Sequence, residues 1–131
     1  MGINGAHIAF TVTDISVSGP WYQKVFEGQV LFDGEDDIGP IQVYGVPDNV
    51  LIGLRQHGST ASGDRFAYDR CGLDHAGLHL PDRAELEKWD AKLNELGVES
   101  SGIVETPFGL HLNFKDPDGI ALEFFVPAAP G

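Results

Sequence analysis

Cysteine is almost absent from this sequence, which has a single one at Cys71. One cysteine cannot form a disulfide within the chain, so the fold has to be stabilised by its core. A domain of 131 residues buries roughly two-thirds of its unfolded surface, so it needs no covalent cross-link. Disulfide-free chains suit reducing compartments, and we expect a cytoplasmic protein in which Cys71 is a small buried apolar residue.

Long apolar stretches and an excess of basic residues are also missing. Because no apolar run approaches the roughly 18 residues of a membrane-spanning helix, and no basic segment leads into an apolar one at the start, we expect neither a membrane span nor a signal peptide. The chain has 8 Lys and Arg against 20 Asp and Glu, a net charge of −12. Such a surface repels nucleic acid and anionic membranes. The expected partners are a small-molecule substrate and a second copy of the chain.

The sequence contains an internal repeat. Trp21 and Trp89, its two tryptophans, fall in register at a shift of 68 residues. After the helix region the shift becomes 70, an ordinary change in loop length, and it places the apolar run 50–54 on 120–124. The duplication predicts two copies of one structural unit. The other matched pairs are His7 with His75, Asp14 with Asp82, Lys24 with Lys92, Gly39 with Gly109, and Pro47-Asp48-Asn49 with Pro117-Asp118-Gly119.

Each copy has the pattern of one strand, one helix and three further strands. Alternating apolar and polar residues predict the first strand of each copy, over 6–13 and 74–80. The fold class is therefore α+β, a single domain made of two βαβββ modules. The modules are expected at about 1–58 and 72–131, with a Gly-, Ser- and Asp-rich connector over 59–71.

Both helices have recognisable starts. Asp14 and Asp82 are expected to cap them, and Glu85 completes a capping box in the second copy. Pro20 suits the first turn of the first helix, and Gly97 is placed to end the second.

Strand alternation assigns the side chains to faces. In the first strand Ile8 and Phe10 belong to an apolar face that would pack on a helix, which leaves His7 on the other face. The same alternation puts His75 and Glu123 on the faces away from the helices. A carboxylate in an otherwise apolar strand costs several kcal/mol when it is buried without a partner, so a cation is expected beside Glu123.

These three residues form a candidate metal site. Two imidazoles and one carboxylate are a common ligand set for Fe(II), Mn(II), Ni(II) or Zn(II), with positions left open for water and substrate. We therefore predict a divalent metal ion held by His7, His75 and Glu123, and the matched positions of the two histidines support this. The alternative is that both histidines are polar residues at the starts of strands and that Glu123 pairs with an arginine.

Three motifs extend over nearly the whole chain: His7-Ile-Ala-Phe-Thr-Val, Asp74-His75-Ala-Gly-Leu-His79, and Phe114-Lys-Asp-Pro-Asp-Gly119 followed by Glu123. With them the sequence resembles the vicinal oxygen chelate superfamily, which includes glyoxalase I, bleomycin resistance proteins, fosfomycin resistance enzymes and extradiol dioxygenases. The resemblance implies that the paired βαβββ modules form a cup-shaped mixed sheet. It places the family's metal ligands on the first, fourth, fifth and eighth strands, at His7, Gly53, His75 and Glu123.

Gly53 departs from the family pattern because it has no side chain to coordinate a metal. Four-ligand members such as glyoxalase I and the CoA epimerases usually have a carboxylate there, so the glycine argues against glyoxalase I activity. The remaining ligands are more like those of the dioxygenases and the fosfomycin transferases. A basic cluster follows the glutamate in the fosfomycin branch, whereas residues 124–127 are Phe-Phe-Val-Pro here, which argues against that substrate.

Other residues are candidates for catalysis and substrate binding. His79 and His111 can act as acid or base near neutral pH, or each can be a hydrogen-bonded interior residue. Arg55 can hold an anionic group of a substrate, or it can be a solvated charge at the rim. The predicted substrate-binding residues are Arg55, Asn113, Thr11 and Phe125.

Three functions agree with these features. The first is a metal-dependent enzyme, with preference for an Fe(II) dioxygenase or a related oxidative, isomerising or lyase activity on a small aromatic or enolisable substrate. The alternative is a bleomycin-resistance-like protein that sequesters an antibiotic without catalysis, and the third is a structural metal without turnover. A homodimer is expected, and the site can lie within one chain or across two.

Overall fold

The computed structural model describes residues 2, 5–46, 50–58 and 65–129. The chain divides into two compact units, residues 1–64 and 65–131. The first contains β1 (Ala6–Thr11), α1 (Ile15–Phe26), β2 (Gln29–Glu35), β3 (Pro40–Val46) and β4 (Val50–Arg55). The second contains β5 (Ala76–His79), α2 (Arg83–Glu95), β6 (Ser100–Thr106), β7 (Gly109–Lys115) and β8 (Ala121–Pro127). The predicted βαβββ order is confirmed in both units. Residues 59–64 of the expected connector and the repeat segment 47–49 lie outside the described residues.

The two units have the same sheet topology. Each has an open four-stranded mixed sheet, in the order β1-β4-β3-β2 in the first and β5-β8-β7-β6 in the second. The first strand of each unit runs parallel to the last, and the remaining pairs are antiparallel. Equivalent residues also share their partners, since Ala9 pairs with Gly53 and Gly77 pairs with Glu123. The internal repeat is thus a repeat of strand register as well as of element order.

The matched glycines Gly39 and Gly109 show why the repeat keeps glycine at this point. Their φ angles are +153° and +146°, a region that residues with a Cβ rarely adopt. A Cβ at Gly39 would collide with the Gln56 carbonyl oxygen, and one at Gly109 with the Val126 carbonyl oxygen. The same tight backbone approach is therefore built at the same place in each unit.

The first helix begins earlier than its proline indicates. The Asp14 side chain accepts hydrogen bonds from the Ser16 backbone N–H at 3.0 Å and from the Ser16 hydroxyl at 2.6 Å. This cap starts the helix at Ile15, so Pro20 lies inside the helix and the prediction that it belongs to the first turn was wrong. Pro20 has no N–H for the preceding turn, but the helix continues because its packed face, with Tyr22 fully buried, holds it on the sheet.

The second helix follows its prediction. The Asp82 carboxylate accepts the Glu85 backbone N–H at 2.9 Å, which confirms the cap. The helix ends before Gly97, whose φ of +73° is the left-handed conformation expected after a helix end. Among the residues described, neither helix is long and apolar enough to cross a membrane.

Each core lies between a helix and one face of its sheet. Phe10 is buried while His7 is exposed, which confirms the predicted faces of the first strand. Cys71 is exposed, so its predicted burial was wrong. It lies in the irregular segment before β5, outside both helix-covered cores. The buried apolar residues include Phe10, Tyr22, Val25, Ile52 and Leu54 in the first unit and Leu86, Leu93, Leu112, Leu122 and Phe124 in the second.

Candidate functional site

Glu123 lies on the face of the second sheet that is turned away from α2, whereas its neighbour Phe124 packs against Trp89 of that helix. Glu123 belongs to β8, which runs parallel to β5 and pairs it with Gly77. The carboxylate lies next to Gly77, where an added Cβ would be 3.6 Å from Oε1, an ordinary contact distance. Only 12% of the Glu123 side chain is exposed. A carboxylate so far removed from water needs positively polarised partners.

His75 is the residue just before β5, and its side chain lies close to Glu123. Its Nε2 atom lies 3.8 Å from Glu123 Oε2, and its Nδ1 atom lies 2.6 Å from Asp74 Oδ1. An ionised carboxylate can only accept, so Nδ1 must carry the proton in this hydrogen bond. In the neutral imidazole the lone pair is then on Nε2 and is directed towards Glu123.

His111 approaches Glu123 from β7, the antiparallel neighbour of β8. Its Nδ1 atom is 3.3 Å from Glu123 Oε2, and its Nε2 atom is 2.6 Å from the Thr106 hydroxyl oxygen. Among the described residues of the second unit, no lysine or arginine lies within ion-pair distance of Glu123, whose charged contacts there are with His75 and His111. The second unit therefore supplies no arginine partner for this carboxylate.

The Phe125 ring packs beside this polar cluster. Phe125, on β8, has its ring centroid 5.2 Å from that of His79 and 4.9 Å from that of His111. His79 is exposed at the end of β5, and Phe125 is half-buried between the two histidines. The Phe125 ring therefore contacts both imidazoles, those of His79 and His111.

The first unit has an apolar recess of about 280 Å³ on the corresponding face of its own sheet. Its floor is formed by the paired residues Ala9 and Gly53, and a Cβ at Gly53 would meet Ala9 Cβ at an ordinary contact distance of 3.5 Å. The recess is therefore open because Gly53 has no side chain, not because the backbone requires glycine. The lining residues are His7, Ala9, Ile41, Val43, Leu51, Gly53, Leu54 and Arg55.

Arg55 at the edge of this recess is already paired. Its Nη1 atom lies 2.9 Å from both carboxylate oxygens of Asp36. A hydrogen bond from the Ile38 backbone N–H, and then the Arg55 guanidinium, hold the pKa of Asp36 below its usual range. The positive charge of Arg55 is thus compensated before any ligand arrives. Thr11, the other predicted binding residue in this unit, is exposed and pairs with Arg55 across the sheet.

Asn113 lies beside Glu123 in the strand pairing of β7 with β8. It is exposed, and its backbone N–H donates to the Ser101 hydroxyl at 3.0 Å. It also lines a shallow polar recess of about 410 Å³. The other lining residues are Glu99, Ser100, Ser101, Phe114 and Lys115.

The structure thus brings His75, His111 and Glu123 together within the second unit, while His7 lies in the first. Within the described ranges, no group of three or more His, Cys, Asp or Glu side chains is arranged to hold a metal ion. The ligand set of His7, His75 and Glu123 stays a prediction, as do the assigned roles of the other candidate residues.

Three residues of these networks were missed by sequence reasoning. Asp74 could have been found from the sequence, because it directly precedes the predicted ligand His75 and carboxylates commonly orient ligating histidines. Asp36 and Thr106 had no such signal, since each meets its partner only through the folding of a sheet. They occupy matched positions, 70 residues apart in the repeat.

The model of the Glyoxalase/Bleomycin resistance protein/Dioxygenase superfamily matches residues 5–124. The chain therefore belongs to this superfamily, as its motifs predicted. Comparison with curated proteins found no match.

Solved structures of similar proteins agree with this assignment. A glyoxylase/bleomycin resistance protein/dioxygenase domain from Frankia sp. EAN1pec has 30% identity and a TM-score of 0.87, over 97% of this chain and 100% of that one. The antibiotic binding protein TnmS3 from Streptomyces sp. CB03234 has 21% identity and a TM-score of 0.73, over 98% and 99%. A mutant of the fosfomycin resistance protein FosX from Listeria monocytogenes, complexed with Mn(II) and 1S,2S-dihydroxypropylphosphonic acid, has 16% identity and a TM-score of 0.70, over 97% and 90%. The last two likenesses show the fold alone.

Proposed function

We propose that this protein is a metal-dependent enzyme of its superfamily, acting on a small substrate with two adjacent oxygens and an apolar, preferably aromatic, body. The single observation that carries the proposal is the relation of His75 to Glu123. Asp74 holds the proton of His75 on Nδ1, so two electron-pair donors, His75 Nε2 and Glu123 Oε2, face each other at 3.8 Å. A cation bound by both would relieve their repulsion.

The donor chemistry of these residues fits a divalent metal ion. Imidazole nitrogen and carboxylate oxygen each bind such an ion at about 2.0–2.2 Å, so two ligand atoms of one ion lie within about 4.4 Å of each other. The 3.8 Å separation of the His75 and Glu123 atoms is within this limit. We propose His7 as the third ligand and Fe(II) as the preferred ion, because two histidines and one carboxylate are the ligands of non-haem Fe(II) oxygenases. Mn(II), Ni(II) and Zn(II) are the other candidates.

A bound ion would supply Lewis-acid or redox chemistry to a substrate that chelates it. The residues of the chain have simpler tasks. Asp74 orients His75, and Phe125 packs against the His111 ring. The recess over Gly53 accepts an uncharged apolar group, since it is lined mainly by aliphatic side chains and Arg55 is neutralised by Asp36. We therefore propose an apolar seat beside His7, with Arg55 as a candidate substrate-binding residue at its rim.

The first test is the metal content of protein purified without chelator. We expect close to one equivalent of Fe, Mn, Ni or Zn in the wild type, and loss of this metal in His75→Ala and Glu123→Gln. Glu105→Gln is the matched control, because Glu105 is an exposed acid on β6 outside the cluster. A wild type that contains no metal and takes up none of these four ions when they are added would overturn the proposal.

A second test concerns the apolar seat. Catechol combines two adjacent oxygens with an apolar ring, and its binding to the metal-loaded protein can be followed by calorimetry. Gly53→Leu should lower catechol affinity at least tenfold, roughly the effect of 1.4 kcal/mol, with metal content unchanged. Ala84→Leu adds similar bulk on the exposed start of α2 and should have no effect. Equal affinity in Gly53→Leu and wild type contradicts the proposed seat.

The second candidate function is binding of an antibiotic or similar compound without catalysis. The apolar recess of the first unit favours it, because it can hold an apolar ligand without a metal. The acidic net charge of −12 suits a cationic compound. Metal-free wild-type protein that binds such a ligand would support this candidate. We also propose a homodimer, which light scattering of the purified protein can test.

A further inference from the structure

We propose that His111 is a positioning residue for Glu123, held by Thr106 in the tautomer that donates to the carboxylate. The inference rests on the proposed function in one respect, namely that Glu123 is a metal ligand. The hydrogen-bond chain itself stands on the geometry of the second unit. It runs from the Phe108 backbone N–H to Thr106, from Thr106 to His111, and from His111 to Glu123.

The direction of this chain is set at its two ends, because the Phe108 backbone N–H can only donate and an ionised Glu123 carboxylate can only accept. The Thr106 hydroxyl oxygen accepts the Phe108 backbone N–H at 3.2 Å. Its hydroxyl hydrogen is then directed to the second neighbour, Nε2 of His111, at 2.6 Å. A hydroxyl group has one hydrogen to donate and two lone pairs to accept with, so this arrangement satisfies the geometry on both sides.

The tautomer of His111 follows from the carboxylate beside Nδ1, which can only accept a hydrogen bond and so leaves Nε2 as the acceptor from Thr106. A neutral imidazole has one N–H and one lone pair, so a lone pair on Nε2 places the proton on Nδ1. Nδ1 then donates to Glu123 Oε2, 3.3 Å away. The opposite tautomer would direct the Nδ1 lone pair at the carboxylate oxygen, which is electrostatically unfavourable. A carboxylate held by such a donor has fewer rotamers to lose when it binds an ion, so we expect a higher metal affinity.

The first unit has an equivalent hydrogen-bond arrangement, formed by different side chains. Asp36, the residue matched to Thr106, accepts the Ile38 backbone N–H at 2.9 Å and holds Arg55. In each unit, therefore, a side chain just before the β2–β3 or β6–β7 turn accepts a turn N–H and fixes a longer side chain of the sheet. Only in the second unit is the fixed side chain a histidine against a carboxylate.

The direct test is the tautomer of His111 in metal-free protein. Long-range proton–nitrogen spectra of the imidazole, recorded at about pH 8.5, above the usual titration range of imidazole, distinguish the two neutral forms. We expect the Nδ1–H form in the wild type and in Thr106→Ser, which keeps the hydroxyl. In Thr106→Val we expect the Nε2–H form to appear, because its hydroxyl donor is gone. Nε2–H in the wild type overturns the inference.

The second readout is Mn(II) affinity of the same proteins, measured by calorimetry. Loss of an interaction that orients a ligand typically lowers metal affinity by about 10- to 100-fold. We expect a decrease of this order in Thr106→Val and recovery in Thr106→Ser. Unchanged affinity in Thr106→Val overturns the positioning role. A wild type that binds no metal overturns the proposed function instead, and the tautomer result then decides the hydrogen-bond assignment by itself.

Discussion

The two units have the same fold, but the equivalent faces of their sheets differ in polarity. The face is apolar in the first unit and polar in the second. At three matched positions the first unit has Ile41, Val43 and Gly53, where the second has His111, Asn113 and Glu123. The first set lines an apolar recess, and the second belongs to the polar face around a largely buried carboxylate. The strand register is the same in both, so only the side chains differ.

This difference shows how the two copies of a duplicated fold can acquire different functions. The backbone supplies two equivalent faces, and substitution on the outward side of a strand leaves the core side unchanged, because side chains alternate. One face can then evolve towards apolar binding and the other towards polar chemistry. His7 and His75 are the exception, since the same residue is kept at matched positions in both units.

The largest effect is expected in the two cores, where the units should not differ. Leu54 and Phe124 are matched residues with 0% and 1% exposure. Leu54→Ala should lower the free energy of unfolding by roughly 2–5 kcal/mol and Phe124→Ala by roughly 3–5 kcal/mol, since each leaves a cavity. Urea denaturation measures both. Leu96→Ala, at a residue with 40% exposure, is the control with a smaller loss. A loss below about 1 kcal/mol in one core variant alone would show that the cores are unequal.

The next largest effect concerns Glu123 on the polar face, where metal affinity and the free energy of unfolding should respond differently to substitution. Glu123→Gln should lower divalent-metal affinity at least 100-fold, about 2.7 kcal/mol, because an amide oxygen is a much weaker ligand than a carboxylate. Its free energy of unfolding should stay equal or rise, since burial of a charge is relieved. Calorimetric metal titration and urea denaturation of the same samples give both values. A variant that keeps its metal but loses stability would make Glu123 a structural residue.

A smaller and equal effect is expected at the helix starts. Asp14→Ala and Asp82→Ala each remove a carboxylate that caps a helix, and each should lower the free energy of unfolding by about 1 kcal/mol. Asp14→Ser and Asp82→Ser should restore most of the loss because serine also caps. Thermal and urea denaturation would check this. A large effect at one cap only would indicate that the two helices contribute unequally.

The smallest effect concerns Asp36, for which the second unit has an uncharged threonine. A hydrogen bond from Ile38 and the Arg55 guanidinium lower the pKa of Asp36. A lowered pKa in the folded state stabilises the protein above the unfolded-state value of about 3.9, and this stabilisation is lost as pH falls through the folded-state pKa. Asp36→Asn should therefore lose less stability than the wild type when pH falls below about 4, as urea denaturation across pH would show. Asp37→Asn at the neighbouring exposed position should behave like the wild type.

Much of the fold could be predicted from the sequence because its signals are local. Asp82 and Glu85 form a cap within one turn, and alternation over a strand assigns Phe10 and His7 to opposite faces. Pro20 shows the limit of such reasoning: a proline typical of a first turn lies inside the helix, because the cap at Asp14 begins it earlier.

The sequence by itself determined the repeat, the order of elements and the residues offered on each sheet face, since these depend on period and on neighbours in the chain. Only the tertiary structure decided which polar atoms meet. Arg55 forms an ion pair with Asp36, 19 residues away, and Glu123 forms a hydrogen bond with His111 on the adjacent strand. Such pairings depend on strand order and register, because a slip of one residue between neighbouring strands would turn each side chain to the other face.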